Sequence, residues 1–176
     1  MKRAVLLAVA LVVGACAQAP LRAPEGALDF ELAGRIAVRY GKDGFTGNLG
    51  WRHARAGDEV MISTPLGQGV ARLVREGDAV QLVTSEGREF RAADAETLTE
   101  RVLGFRLPLV GLADWVQGRP SPGVPARTET GDDGRLRALE QSGWRVEFQE
   151  YQGARPQRLR LTYPGIELRL VVNEWK

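Results

Sequence analysis

Reactive side chains are few in this chain, and the most informative one lies near its start. Cys16 is the only cysteine and His53 the only histidine among 176 residues. A lone thiol cannot form an intramolecular disulfide, so it is free for covalent modification. The order Val13-Gly14-Ala15-Cys16 sets an aliphatic and two small residues ahead of that thiol. This is the lipobox pattern, in which small side chains suit a peptidase subsite and the sulfur takes a diacylglyceryl group. Lys2 and Arg3, followed by apolar residues 4–13, give the charged-then-apolar layout of a secretory signal too short to span a bilayer. Residues 1–15 are therefore read as a lipoprotein signal peptide and Cys16 as the lipid-bearing first residue of the mature chain. The alternatives are an ordinary signal with a cysteine near its end, or a free buried thiol. Ala17 is not the aspartate that marks inner-membrane retention in enterobacterial lipoproteins, which directs the expectation to the outer membrane.

Catalytic machinery is hard to assemble from the remainder. Nucleophile-and-base chemistry through histidine would have to use His53, beside a turn over residues 54–58. No G-x-S-x-G, P-loop, H-E-x-x-H or C-x-x-C motif occurs. Asp132, Asp133, Glu147 and Glu150 fall in turn or strand-edge contexts, where solvated charge is the common explanation. No enzyme activity, metal or cofactor is expected. Removing residues 1–15 takes two of the 24 basic residues and none of the 22 acidic ones, which leaves a mature net charge of zero. The apparent basicity belongs to the signal, so neither a nucleic-acid partner nor electrostatic membrane adhesion follows from it.

The elements that must position any site are mostly strands. Phe30, Leu32, Ile36, Val38 and Tyr40 share one parity, the period of a half-buried strand, and Lys42-Asp43-Gly44 then turns the chain. Phe45, Leu49 and Trp51 continue on one face, and short strands are expected over residues 59–64, 69–76 and 79–85. Spacing of three to four among Ala95, Leu98, Val102 and Leu103 predicts a helix over residues 93–103, and a second short helix is expected over residues 109–117. Residues 118–125 carry three prolines and two glycines and form a connection. Alternation resumes at Trp144, Val146 and Phe148, at Leu159, Leu161 and Tyr163, and from Ile166 to Val172, with Pro164-Gly165 as a tight turn. Sequential hairpins favour an antiparallel meander that must curl to bring its apolar faces together. The fold class is therefore mainly β (α+β), a curled antiparallel sheet or half-open barrel of about eleven strands with short helices covering an apolar cavity. Residues 16–28 form the lipidated cysteine and a flexible tether, and residues 29–176 a single domain.

Several segments, taken in order, resemble the outer-membrane lipoprotein receptor family called LolB. They are Gly34-Arg35-Ile36-Ala37-Val38, Gly47-Asn48-Leu49-Gly50-Trp51 and Ser63-Thr64-Pro65-Leu66-Gly67-Gln68. Downstream come Leu107-Pro108-Leu109, Leu112-Ala113-Asp114-Trp115-Val116-Gln117-Gly118, Gly143-Trp144 and Asn173-Glu174-Trp175. The resemblance implies a receptor that accepts lipoproteins from the soluble periplasmic carrier LolA, holds their acyl chains in a hydrophobic cavity and inserts them into the outer membrane from its periplasmic face. It implies that Leu66, in the loop Pro65, Leu66 and Gly67, protrudes and helps release cargo into membrane lipid, the alternative being a hairpin leucine folded back onto the sheet. Ile36, Leu49, Trp51, Trp115, Trp144 and Trp175 are the expected acyl-chain lining, with ordinary core packing as the alternative for each tryptophan. A monomer is the expected state. Only residues 20–29 precede the first strand, where better-known members carry a longer polar helix, so a helical turn over residues 27–32 or a more open cavity is expected here. The rival readings are a structural or assembly lipoprotein that binds protein, and an envelope carrier of free lipid.

Overall fold

The computed structural model describes residues 21–176. The signal read over residues 1–15 and the lipidation candidate Cys16 lie outside the described residues. One antiparallel sheet of eleven strands holds the domain together. The first meander runs through β1 (Phe30–Tyr40), β2 (Asp43–Ala54), β3 (Gly57–Ser63), β4 (Gly69–Glu76), β5 (Ala79–Thr84) and β6 (Glu89–Ala92). Helices α1 (Ala95–Leu103) and α2 (Leu109–Trp115) follow. A second meander comprises β7 (Ala126–Thr130), β8 (Leu136–Gln141), β9 (Trp144–Gln152), β10 (Arg155–Tyr163) and β11 (Ile166–Trp175). The spatial order is β6-β5-β4-β3-β2-β1-β11-β10-β9-β8-β7, so the first and last strands pair at the centre and the edges are β6 and β7.

Alternation explains which face is inside. Ile36 and Val38 of β1, Leu49 and Trp51 of β2, Val60 and Ile62 of β3, and Leu168 and Leu170 of β11 are all buried in one core, while their sequence neighbours face outward. The helices cover the same face, contributing buried Leu98, Leu109, Leu112 and Trp115 to that core. Two glycines of the family motifs have a steric reason. A Cβ at Gly34 would be driven into the Val171 carbonyl, where a bulge shifts the β1–β11 register. A Cβ at Gly47 would meet the Ser63 carbonyl and the Phe45 ring.

Several boundaries differ from the sequence expectation. The first turn is Gly41-Lys42, and Asp43 and Gly44 already pair with Tyr40 and Arg39; Gly41 takes the left-handed conformation that a two-residue hairpin needs. The first helix starts two residues late because Asp94 caps it, and the second ends at Trp115. No helical turn forms over residues 27–32, because the run from Phe30 is taken up as strand β1 between β2 and β11. Nor is the segment before β1 wholly a loose tether, since Pro24 is buried and the Leu21 N–H donates to the Gln81 side chain at 2.9 Å.

Asp94 accepts from the backbone N–H groups of Glu96 and Thr97 at 3.0 and 3.1 Å. Hydrogen bonding from Thr97, chiefly its side chain, outweighs the opposing effect of partial burial and lowers the Asp94 pKa. A carboxyl with a depressed folded value stabilises the fold above its unfolded pKa and loses that contribution as pH falls through the folded one. Asp94→Ala should therefore lower stability by about 1 kcal/mol at neutral pH. The difference from the native chain should shrink on acidification, as read by urea unfolding at several pH values.

Candidate functional site

The candidate site residues fall in two regions, the apolar interior and the loop joining β3 to β4. Ile36, Leu49, Trp51, Trp115 and Trp144 are all buried in the one core cluster, and Trp175 is a half-buried residue packed against it. Helices α1 and α2 bury Leu98, Leu109 and Leu112 in the same cluster. An open pocket of about 580 Å³ borders Trp144 at the rim between β7, β8 and β9, with Arg127, Glu140 and Arg145 around it. Trp175 sits towards the opposite rim, its ring 5.6 Å from Phe30 edge-on and 4.7 Å from the Arg155 guanidinium.

Each buried indole N–H needs a partner, and the three tryptophans differ in how they meet that need. Trp51 donates to Asp58 at 2.8 Å. That carboxylate is itself buried and also meets His53 Nδ1 at 2.6 Å and the Arg75 guanidinium, so a compact polar knot ties β2, β3 and β4. His53, the one histidine, is thus bonded to a carboxylate that already holds an indole and a guanidinium. Trp115 donates to Gln141 Oε1 at 2.8 Å. The same oxygen accepts from the Ser121 N–H at 2.9 Å, while Gln141 Nε2 donates to the carbonyls of Ser121 and Val124 at 3.0 and 2.9 Å. One buried side chain on β8 therefore clamps both α2 and the connection at residues 118–125. Trp144 stacks obliquely on Tyr163 at 5.0 Å, but its buried indole N–H has no hydrogen-bond partner among the described residues.

The β3–β4 loop is a type I-like turn closed by a left-handed glycine. Gly67 N–H donates to the Thr64 carbonyl, Thr64 N–H to the Gln68 carbonyl, both at 2.8 Å, and Gly67 has φ +86°. Asn48 of the second motif donates to the Thr64 carbonyl at 3.0 Å, fixing the loop to β2. The same backbone pattern recurs at residues 84–88 and 131–135, with Gly87 and Gly134 in the left-handed position. Those two loops carry Glu86 and Asp133 where this one carries Leu66. Turn geometry therefore accounts for the loop's shape but not for its leucine, which projects with 91% of its surface exposed. Pro65 and Gly67 flank it as the turn requires.

Asp58 and Gln141 were not visible as site-building residues in the sequence. Both are polar residues in or beside strands whose partners lie on other elements, and no local spacing announces them. Gln141→Ala should leave the Trp115 and Ser121 N–H groups unpaired and lower stability by about 2 kcal/mol, measured as a shift in the urea midpoint.

Comparison with known proteins agrees with this arrangement. A family model described as "Outer membrane lipoprotein LolB" matches residues 28–175. The chain is 39% identical over 181 residues to an outer-membrane lipoprotein LolB of Thiobacillus denitrificans, covering 98% of this chain and 96% of the relative. It is 37% identical to one of Azoarcus sp., covering 99% and 96%. Among solved structures, a DUF1329 family protein from Desulfovibrio piger superposes with a TM-score of 0.51 at 10% identity, covering 84% of each chain, which is a likeness of fold alone. A family model matched over residues 28–175 and relatives 37–39% identical over nearly the whole chain show that the chain belongs to the outer-membrane lipoprotein LolB family.

Proposed function

We propose that this protein is an outer-membrane receptor that takes lipoproteins from the periplasmic carrier LolA, holds their acyl chains against the concave face of its sheet, and inserts them into the membrane. The observation that carries this reading is Leu66, a bare leucine on a rigid loop whose two structural equivalents are carboxylates. Cys16 supplies the lipid anchor after removal of residues 1–15, so the domain faces the periplasm from the inner leaflet. Family membership supports a localisation factor without catalytic chemistry.

The energetic requirement is large. At about 0.8 kcal/mol per methylene, one chain of roughly 14 methylenes costs about 11 kcal/mol to expose to water. Burial against a curled apolar sheet meets that requirement without nucleotide or metal. Ile36, Leu49, Trp51, Trp115, Trp144 and Trp175 contribute to the receiving face once α1 and α2 move aside. Displacing two short helices exchanges one apolar contact for another, so admission of chains need not open the ladder of the sheet. The unpaired indole N–H of Trp144 is a donor available to an ester or amide carbonyl at the lipid headgroup.

In a transfer assay from loaded carrier to receptor to liposomes, Leu66→Glu copies the residue of the 84–88 loop. It should fold normally, within about 0.5 kcal/mol of the native chain, and accept cargo without delivering it. A native chain that takes up no cargo would overturn the receptor reading. Trp144→Phe removes a donor that has no partner among the described residues, so its urea midpoint should hold or rise slightly. Its half-time of cargo retention should fall; unchanged retention would remove Trp144 from the site.

A further inference from the structure

Most of the outward face of the sheet is solvated and charged, yet Val74 on β4 and Gln81 on β5 are buried there. Their parity points them away from the core, since Leu73, Val80 and Leu82 point into it. Residues 21–25 lie over this patch. Leu21 N–H donates to Gln81 Oε1 at 2.9 Å, Arg22 N–H to Glu76 Oε2 at 3.3 Å, and buried Pro24 borders Gly57. The segment crosses β5, β4 and β3 in turn before the chain enters β1. Gln81 is held from its other side by donating to Glu89 at 2.8 Å.

This strap fixes where the chain leaves the domain on its way to Cys16. Five residues from Leu21 back to Cys16 span at most about 17 Å when fully extended. Along the β3–β4 hairpin, the stretch from Val74, at the level of Gln81, to Gly69 covers about 17 Å, and the loop bearing Leu66 projects beyond it. An upright hairpin would therefore hold Leu66 at a bilayer surface that the lipidated cysteine can scarcely reach. If the hairpin leans with its outward face towards the bilayer, both reach it together. That outward face carries Met61, 44% exposed and, with Leu66, one of two exposed large apolar residues on this hairpin.

We infer that the strap at residues 21–25 makes the receptor lean on its membrane through the outward face of the β3–β4 hairpin, with Met61 contacting the lipid surface beside Leu66. The inference rests on the proposed Cys16 anchor and Leu66 loop. It is tested in the full lipidated protein on vesicles of phosphatidylethanolamine and phosphatidylglycerol. An environment-sensitive probe is placed on a single added thiol by Met61→Cys, Leu66→Cys or, on the outward face of β11, Arg169→Cys. Nitroxide-labelled lipid should quench probes at 61 and 66 and leave 169 bright. Inserting six Gly-Ser residues between Pro20 and Leu21 should abolish quenching at 61 and preserve it at 66. An unquenched probe at 61, a quenched one at 169, or quenching at 61 that survives the insertion overturns the lean. An unquenched probe at 66 overturns the loop reading and the lean that rests on it, whereas failure at 61 with quenching kept at 66 overturns the lean alone.

Discussion

The pairing of β1 with β11 is the constraint on which the rest of the molecule depends. Each meander could form from local hairpins, but only this long-range ladder makes them one sheet with one concave face. Its register is set by a bulge at Gly34, where the two backbones come too close for any side chain. That register puts Ile36 beside Leu170 and Val38 beside Leu168, so both meanders bury their apolar residues on the same side. A slip of one residue would turn every one of them to solvent.

Polar anchoring then decides which parts of the interior are fixed. The Asp58 knot stiffens β2 to β4 around Trp51, the flank from which the Leu66 loop projects. Gln141 holds α2 through one hydrogen bond and the connection after it through three, whereas the strands are joined to their neighbours by extended ladders. The strands are thus joined by many backbone hydrogen bonds, whereas the helices are held mainly by apolar burial of Leu98, Leu109, Leu112 and Trp115. Glu96 on α1 adds to this contrast, since burial of its carboxyl raises its pKa against the pull of Arg106.

Much of the fold was legible because strand parity and helical spacing are local signals. The strands at 30–40, 69–76 and 166–175 and both helices follow directly from them. Three strands escaped individual recognition: β6 offers only Phe90 and Ala92 as an apolar face, β7 is exposed throughout, and β8 does not alternate in burial. The first turn was misplaced by its Asp-Gly, a pair that elsewhere marks hairpins; here the left-handed position falls on Gly41. A turn at Leu66 was legible from its flanking proline and glycine, whereas the projection of its side chain was implied only by the family resemblance. The equivalence of its loop with two others was not legible, because that depends on backbone hydrogen bonds. The docking of residues 21–25 was hidden as well, since Gln81 and Glu76 lie more than fifty positions away.

The sheet ends at β6 and β7 without joining them, and in the chain that gap is bridged by α1, α2 and the connection after them. In a closed barrel, strand number and stagger fix the girth, so the capacity is set once and for all. Here β6 and β7 are not hydrogen-bonded to each other, so strand number and stagger do not fix the girth in that way. On the function proposed above, an open wall of this kind suits acyl chains of unequal length and number. The charged side chains of β7, Arg127 and Glu129, discourage another sheet from sealing that margin.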